Sequence, residues 1–446
     1  MKRARTSRQS HGTRRAPASR VLAPPQLVTI EKPVYGGGFL ARAEGKAIFT
    51  PLMLPSEQAR VRITDDHHGW ANAELEELVT AAPERIAPRC PHFGACGGCH
   101  YQHSDYTTQL VFKEAILRET LERAGVSAPA QIDVLAGQPW AYRNRIRLAS
   151  DAAGNPGYRG RRSHAITPVR ECLIAAPILV RAALASAEYF RSQPPPNRPA
   201  EISLFCDAEE SALLVSLMVA NLSKARVDDF ACALSEQVPE LAGVEFIAAG
   251  LAGRQPHTAS RWGAESLVYR AAGCNYRVSH GAFFQVNRWL VDALAAQVTS
   301  GRKGVVAWDL FAGVGLFARQ LAANFDRVVA VESAPEAISA LEANLAGSAA
   351  AAVRATTLDF LARGRTAGPP DLIVVDPPRT GLGAETAALL SEIAAAALVY
   401  VSCDPATLAR DLRTLFAGGY AIERVVLADL FPQTFHIESV VELRRT

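Results

Sequence analysis

From about residue 275 onward, short apolar runs rich in β-branched residues alternate with Ala/Leu-rich segments of helical length. The runs are VVAWDLF, RVVAVE, DLIVVD and ALVYVSC. A strand covered on both faces reads as a continuous apolar run, and a parallel neighbour requires a helical crossover. Such alternation is the sequence form of a doubly wound α/β domain. It fixes where function has to lie, because ligands of open α/β sheets bind outside the carboxyl ends of the strands.

The segment VVAWDLFAGVGLF (305–317) reads as a buried strand, a glycine turn and a helix start. Gly313 and Gly315 let the backbone approach a ligand closely. RVVAVE closes on Glu332, an acid suited to the two hydroxyls of a ribose. VRATTLDF puts Asp359 near the end of a third strand, and DLIVVDPPRTG (371–381) puts Asp376 at the end of a fourth. One strand-end carboxylate is ordinary; several in register mark a crevice. Dinucleotide sites share the glycine pair, and some tolerate Ala at the place of their third glycine, here Ala318. The Asp-Pro-Pro-Arg segment does not belong to a hydride-transfer site, so the set points to S-adenosylmethionine rather than NAD.

LVYVSCDPATLARDL (398–412) ends a fifth strand at Ser402-Cys403, facing the same crevice. A lone Cys is commonly a small buried hydrophobe, but Ser402, Asp404 and Pro405 are not core company. A free thiol has a pKa of ~8.5, and the helix starting near Pro405 is expected to lower it through its N-terminal dipole. LFPQTFHIESVVEL (430–443) places His436 and Glu438 just before a final strand. Opposite a nucleophilic Cys403, Glu438 is a candidate base.

The rest of the 446 residues is more varied. Residues 1–20 hold Lys2, Arg3, Arg5, Arg8, Arg14, Arg15 and Arg20 and no acid. The remainder then has 40 basic against 44 acidic residues. Such a tail is expected to be disordered, as a phosphate-binding arm or as a solvated tail. Residues 21–80 read as a small β domain punctuated by Gly36, Gly37 and Gly38. A helix is expected over about 104–125, ending at Gly125. Residues 81–270 form a central α/β region, and 271–446 the doubly wound domain. In AYRNRIRLAS (141–150), Arg143, Arg145 and Arg147 alternate on one strand face, as a phosphate-binding or merely solvated face, and Tyr142 is a candidate for base stacking. No apolar run reaches the ~18–20 residues needed to span a bilayer, and the basic N-terminus lacks the apolar core of a secretory signal. A soluble, cytoplasmic protein without disulfides is expected. The eight cysteines then need another reading. CPHFGACGGC (90–99) spaces Cys90, Cys96 and Cys99 as C-x5-C-x2-C, with Cys172 far along the chain. Four thiolates suit zinc; Gly97, Gly98 and the remote fourth Cys look more like a [4Fe–4S] site. Cys206, Cys232 and Cys274 read as core.

The paired segments resemble the RNA uracil-5-methyltransferases that use S-adenosylmethionine. That family carries Asp-Pro-Pro-Arg-x-Gly followed by Val-Tyr-x-Ser-Cys, met here by DPPRTG (376–381) and LVYVSCDPATLARD (398–411). Its Phe-Pro-(Gln/His)-Thr-x-His-x-Glu signature is met by residues 431–438, and GAFFQVN (281–287) matches a pocket motif. The resemblance covers the chain apart from the basic tail. It implies a C-terminal Rossmann-like class I methyltransferase domain. It also implies Cys403 as nucleophile toward C6 of uracil and Glu438 as the base that removes the C5 proton. Gln285, Phe311, Glu332, Asp359 and Asp376 fall on cofactor positions, and Cys90, Cys96, Cys99 and Cys172 on iron–sulfur ligand positions. Residues 21–80 are similar to the RNA-binding TRAM barrel. Members with both barrel and cluster mostly modify 23S ribosomal RNA, whereas transfer-RNA members typically lack both. The implied partner is structured RNA, with base flipping, no membrane and no obligate protein partner. Two positions depart from the pattern: Asp404 replaces a usual Asn, which moves charge near Cys403, and Ala312 replaces a common Cys.

Rival readings are separable by residue. A cytosine-5 enzyme uses a Pro-Cys pair and a second Cys, but Cys403 follows Ser402. An amino-group methyltransferase prefers Asn-Pro-Pro-aromatic. A transfer-RNA enzyme shares the chemistry, and a silent RNA-binding protein would lose Cys403 or Glu438.

Overall fold

The computed structural model describes residues 24–194, 198–219, 223–248, 257–364 and 368–446. The basic segment 1–20 lies outside the described residues. Two compact units result, one on residues 24–32 and 38–82, the other on 33–37 and 83–446.

In the first unit β1 (Gln26–Val34), β2 (Gly38–Ala43), β3 (Lys46–Pro51), β4 (Gln58–Asp66) and β5 (Trp70–Thr80) close a barrel in the order β1-β2-β3-β5-β4. Alternate residues fill it, among them Val28 and Ile30 of β1 and Ala59 and Val61 of β4. The β1–β2 turn holds Gly36 and Gly37 at φ of +98° and +81°, where a side chain would be strained.

In the second unit, α1 (Tyr106–Arg123) starts on Asp105, whose carboxylate accepts from Thr108 N at 2.9 Å. It stops just before Gly125, at φ +76°. After β6 (Asp133–Leu135), a mixed sheet is built from β7 (Arg145–Ser150), β8 (Pro156–Arg159), β9 (Ile166–Pro168), β10 (Glu201–Cys206), β11 (Leu213–Met218), β12 (Leu241–Ala248) and β13 (His257–Gly263). Its order is β13-β12-β11-β10-β7-β8-β9. α2 (Pro177–Arg191) and α3 (Lys224–Gln237) cover one face through Leu179, Phe190, Val227 and Phe230. A hairpin, β14 (Ser266–Ala271) with β15 (Cys274–Ser279), leads into the last region.

There α4 (Val291–Thr299), β16 (Gly304–Leu310), α5 (Leu316–Leu321), β17 (Phe325–Glu332), α6 (Pro335–Leu345), β18 (Ala350–Arg354) and α7 (Thr357–Gly364) are followed by β19 (Leu372–Val375), α8 (Ala384–Ile393), β20 (Ala397–Ser402), α9 (Pro405–Ala417), β21 (Tyr420–Ala428) and β22 (Glu438–Arg445). The eight-stranded order is β18-β17-β16-β19-β20-β22-β21-β6. The first five are parallel, and β22 runs antiparallel between β20 and β21. Leu372 and Val374 enter the core on one face, Ile373 and Val375 the core on the other. This two-sided burial is why the sequence runs are continuously apolar.

Four details depart from the sequence expectations. First, α1 and β6, inside the stretch 81–270, complete the C-terminal sheet: Ile116, Leu117 and Leu121 share a core with Leu408 and Leu412, and β6 pairs with β21. An open edge on β21 is thereby covered. Second, Tyr142 is fully buried, and its hydroxyl donates to Pro432 O at 3.1 Å, so it is no stacking platform. Third, the Arg143–Arg147 face is not free: Arg145 lies over the Phe205 ring at 4.2 Å, and Arg147 pairs with Glu201 at 2.5 Å. Fourth, Cys232 is exposed on α3, whereas Cys206 is buried. Among the described residues no helix is long and apolar enough to cross a membrane.

Lys113 on α1 and Asp429 after β21 form an ion pair at 2.5 Å with both side chains inaccessible to solvent. Lys113→Met leaves the aspartate as a lone buried charge. The expected loss is about 3–5 kcal/mol of unfolding free energy in urea denaturation, largely recovered by combining it with Asp429→Leu.

Candidate active site

The strand order reverses between β16 and β19, and the crevice opens at their carboxyl ends. A narrow slot of ≈ 30 Å³ there is lined by Phe283, Gln285, Phe311, Gly313, Phe317 and Asp376, among others. Phe311 holds a φ of +64°, unusual for a non-glycine residue and typical of backbone strained at a binding site. The two glycines do different work. A Cβ on Gly313 would meet nothing within 4 Å, so the backbone there is open to a ligand. A Cβ on Gly315 would lie 2.7 Å from Leu341 Cδ1, so Gly315 lets α6 pack close.

The acids sit as follows. Glu332 accepts from Gly313 N at 2.9 Å and from Ser333 N and Ala334 N at 2.6 Å. Asp376 accepts from Gln285 Nε2 at 3.2 Å, and burial pushes its carboxyl up to about 7. Asp359 lies in the first turn of α7, beyond the end of β18, where its carboxylate accepts from Thr356 Oγ1 at 2.7 Å. The sequence reading missed Asp309. It lies within β16, fully buried, with Oδ2 accepting from Ala318 N at 2.8 Å and Oδ1 without a partner. Burial, aided by the charges of Asp376 and Glu332, pushes it up to about 8. Its signal was an acid inside an apolar run.

DPPRTG is held from α9. Thr407 Oγ1 donates to Arg379 O at 3.2 Å, and Arg410 donates to Thr380 O at 2.7 Å. Buried Asp411 accepts from Leu382 N at 2.7 Å and from the Tyr400 hydroxyl at 2.9 Å. Gly381 has φ +71°, and a Cβ there would sit 2.5 Å from Asp411 Oδ2. The motif's glycine is therefore required by both backbone and space.

Cys403 and Glu438 are brought together by strand register. Ser402 of β20 pairs with Ser439 of β22, so the thiol follows one partner and the carboxylate precedes the other. Burial pushes the Cys403 thiol up to about 12, with the charges of Glu438 and Asp376 adding and Arg379 opposing. Burial, the largest cause, outweighs the expected helix-dipole effect. The N-terminal amides of α9 are already occupied: Asp404 Oδ1 accepts from Ala406 N and Thr407 N at 3.0 and 2.9 Å. Its Oδ2 accepts from the Tyr35 hydroxyl at 3.1 Å. Asp404 is thus spent as a helix cap. Burial also raises Glu438 well above the usual carboxylate range, with Asp376 adding to the shift and Arg379 opposing it. Arg379 lies 3.3 Å from His436 Nδ1, and burial with the nearby cations pushes that imidazole down to about 3.

Cys90, Cys96, Cys99 and Cys172 line a single cavity of ≈ 170 Å³, together with Arg143, Tyr158 and His436. Burial raises the thiols of Cys90, Cys96 and Cys99, and the neighbouring sulfurs add to the effect. Among the described residues no three Cys, His, Asp or Glu side chains come close enough to share one metal ion. Four thiols on one cavity are the donor set that a thiolate-bound metal or cluster requires.

Known proteins give the same picture. A family profile described as tRNA (Uracil-5-)-methyltransferase matches residues 370–446. The 23S rRNA (uracil(1939)-C(5))-methyltransferase RlmD of Chromohalobacter salexigens is 33% identical over 94% of this chain and 89% of its own. An uncharacterised RNA methyltransferase of Streptomyces avermitilis is 31% identical over 93% and 97%. The Pyrococcus abyssi tRNA (uracil-54, C5)-methyltransferase, solved with S-adenosyl-L-homocysteine, shares the fold with a TM-score of 0.74 at 23% identity, over 94% of this chain and all of its own. With its barrel, doubly wound sheet and paired Cys403 and Glu438, this chain belongs to the RNA uracil-5-methyltransferase family.

Proposed function

We propose that this enzyme methylates C5 of a uridine in 23S ribosomal RNA with S-adenosylmethionine, through a covalent bond between Cys403 and C6. The observation that carries the reading is the register of β20 and β22, which puts a thiol and a carboxylate side by side at the crevice. C5 of uracil is too weak a nucleophile to take a methyl group unaided. The Cys403 thiolate adds to C6, and the C5–C6 electron pair becomes an enolate. C5 then attacks the sulfonium methyl, whose bond to sulfur breaks with its electron pair. Glu438 takes the C5 proton, the double bond re-forms and Cys403 leaves as thiolate.

Gln285, Phe311, Glu332, Asp359 and Asp376 are assigned to the cofactor, with Asp309 holding the first turn of α5 through Ala318 N. Burial raises the Asp376 and Asp309 carboxyls, and a cationic sulfonium bound beside them would lower both again. Cys90, Cys96, Cys99 and Cys172 are assigned to a [4Fe–4S] cluster. Such a cluster supplies the positive iron that lets buried thiols ionise; methyl transfer moves no net electrons, so its role is structural or RNA-positioning. The barrel is assigned as a TRAM module for RNA.

The ribosomal substrate is supported by relatives named for that activity, at 30–33% identity. A transfer-RNA substrate is the second reading. It gains from the fold shared with the P. abyssi transfer-RNA enzyme across 94% of this chain, because barrel and central region then do not separate the two RNA classes. Labelled methyl transfer to unmodified ribosomal and transfer RNA, followed by nucleoside analysis, decides between them.

Cys403→Ala is expected to abolish transfer while retaining S-adenosylmethionine binding, and Glu438→Gln to accumulate an RNA–protein adduct on denaturing gels. Both reacting groups sit above their ordinary pKa values and must lose protons. The single-turnover rate is therefore expected to rise with pH; a rate that falls as pH rises would exclude this pair. Anaerobically purified enzyme is expected to carry about four irons per chain, and Cys172→Ala to lose them.

A further inference from the structure

We propose that Gln109 of α1 is a positioning residue for the catalytic base, acting through Gln433. The proposal rests on the assignment of Glu438 as base. Gln433 lies five residues before Glu438 and holds a φ of +68°, a conformation that side-chain-bearing residues avoid. What holds it there comes from the segment directly after Cys99. Gln433 N donates to Gln109 Oε1 at 3.0 Å, and Gln109 Nε2 donates to Gln433 Oε1 at 3.0 Å. The carbonyl of Gln433 accepts from His100 N at 2.8 Å and Tyr101 N at 3.1 Å. Gln109 is itself fixed, donating to Tyr101 O and Ser104 O at 3.1 and 3.0 Å, and both glutamines are buried.

The pair completes a cradle for four consecutive carbonyls. Leu430 O accepts from Asn287 Nδ2, Phe431 O from Lys113 Nζ, Pro432 O from the Tyr142 hydroxyl, and Gln433 O from the two amides. These donors come from three separate stretches of chain. Beyond them the backbone turns through Thr434, whose hydroxyl donates to Phe431 O and receives His436 N, and enters β22 at Glu438. The direction in which Glu438 leaves this turn is thus set by a rigid frame.

The test uses Gln109→Met, which keeps length and removes the hydrogen bonds, and Gln433→Met, which leaves α1 untouched. Each is assayed on unmodified RNA, in protein that binds S-adenosylhomocysteine. The expected result is a kcat lower by ~10²-fold, the scale of an ångström-sized misplacement. KM for RNA should hold, and methylated RNA should accumulate as an adduct on Cys403. A defect that merely lowered the folded fraction would not build up that intermediate. The double variant should be no slower than either single. Wild-type turnover without adduct in both variants, while Glu438→Gln traps the adduct, overturns the clamp and leaves the base assignment standing. Absence of adduct in Glu438→Gln as well overturns the assignment and the clamp with it.

Discussion

The antiparallel insertion of β22 between β20 and β21 is the constraint from which the rest of the site follows. A purely parallel continuation would carry the chain away from the crevice at the carboxyl end of β20. Running β22 the other way brings its first residue, Glu438, beside Cys403. The connection from β21 must then stay at the crevice end of the sheet, and its polar backbone has to be satisfied there. Lys113, Tyr142, Asn287 and the amides after Cys99 provide this. The elements that look peripheral to the methyltransferase sheet are thereby part of its catalytic end.

α9 serves two tasks at once. Its N-terminus is capped by Asp404, so the dipole is satisfied within the protein and not by the thiol. Its next turn reaches across to DPPRTG through Thr407, Arg410 and Asp411. Nucleophile and loop are therefore indexed to one rigid element. The consequence for reactivity is that Cys403 rests as a thiol, held so by burial and the neighbouring carboxylates, with Arg379 the charge that works the other way.

Much of this was legible in the sequence. The strands of the doubly wound sheet announce themselves because burial on both faces demands unbroken apolar runs. Their ends carry Glu332, Asp376 and Cys403, and the structure puts all three at the same edge. Less visible was whatever depends on distant partners. β6 has three residues and no periodicity to detect, and it exists because β21 needs a neighbour. Tyr142 and Arg143 read as surface groups on composition, but Tyr142 is buried against the 430–433 loop and Arg143 is half-buried at the cysteine cavity. The expected effect of the helix dipole on Cys403 is outweighed by burial and by the carboxylates beside the thiol, which only the fold brings there. Asp309 looked like one polar residue in a hydrophobic strand; its place at the reversal of strand order gives it meaning.

The bonds from α1 to the loop before β22 join residues 316 and 324 positions apart. Closing so long a loop is entropically demanding. The glycine turn and its parallel strands rest on much nearer partners, such as Gly313 and Glu332, 19 residues apart. The cofactor turn is therefore held by contacts that close locally, whereas the base is aimed by contacts that require most of the chain to be in place.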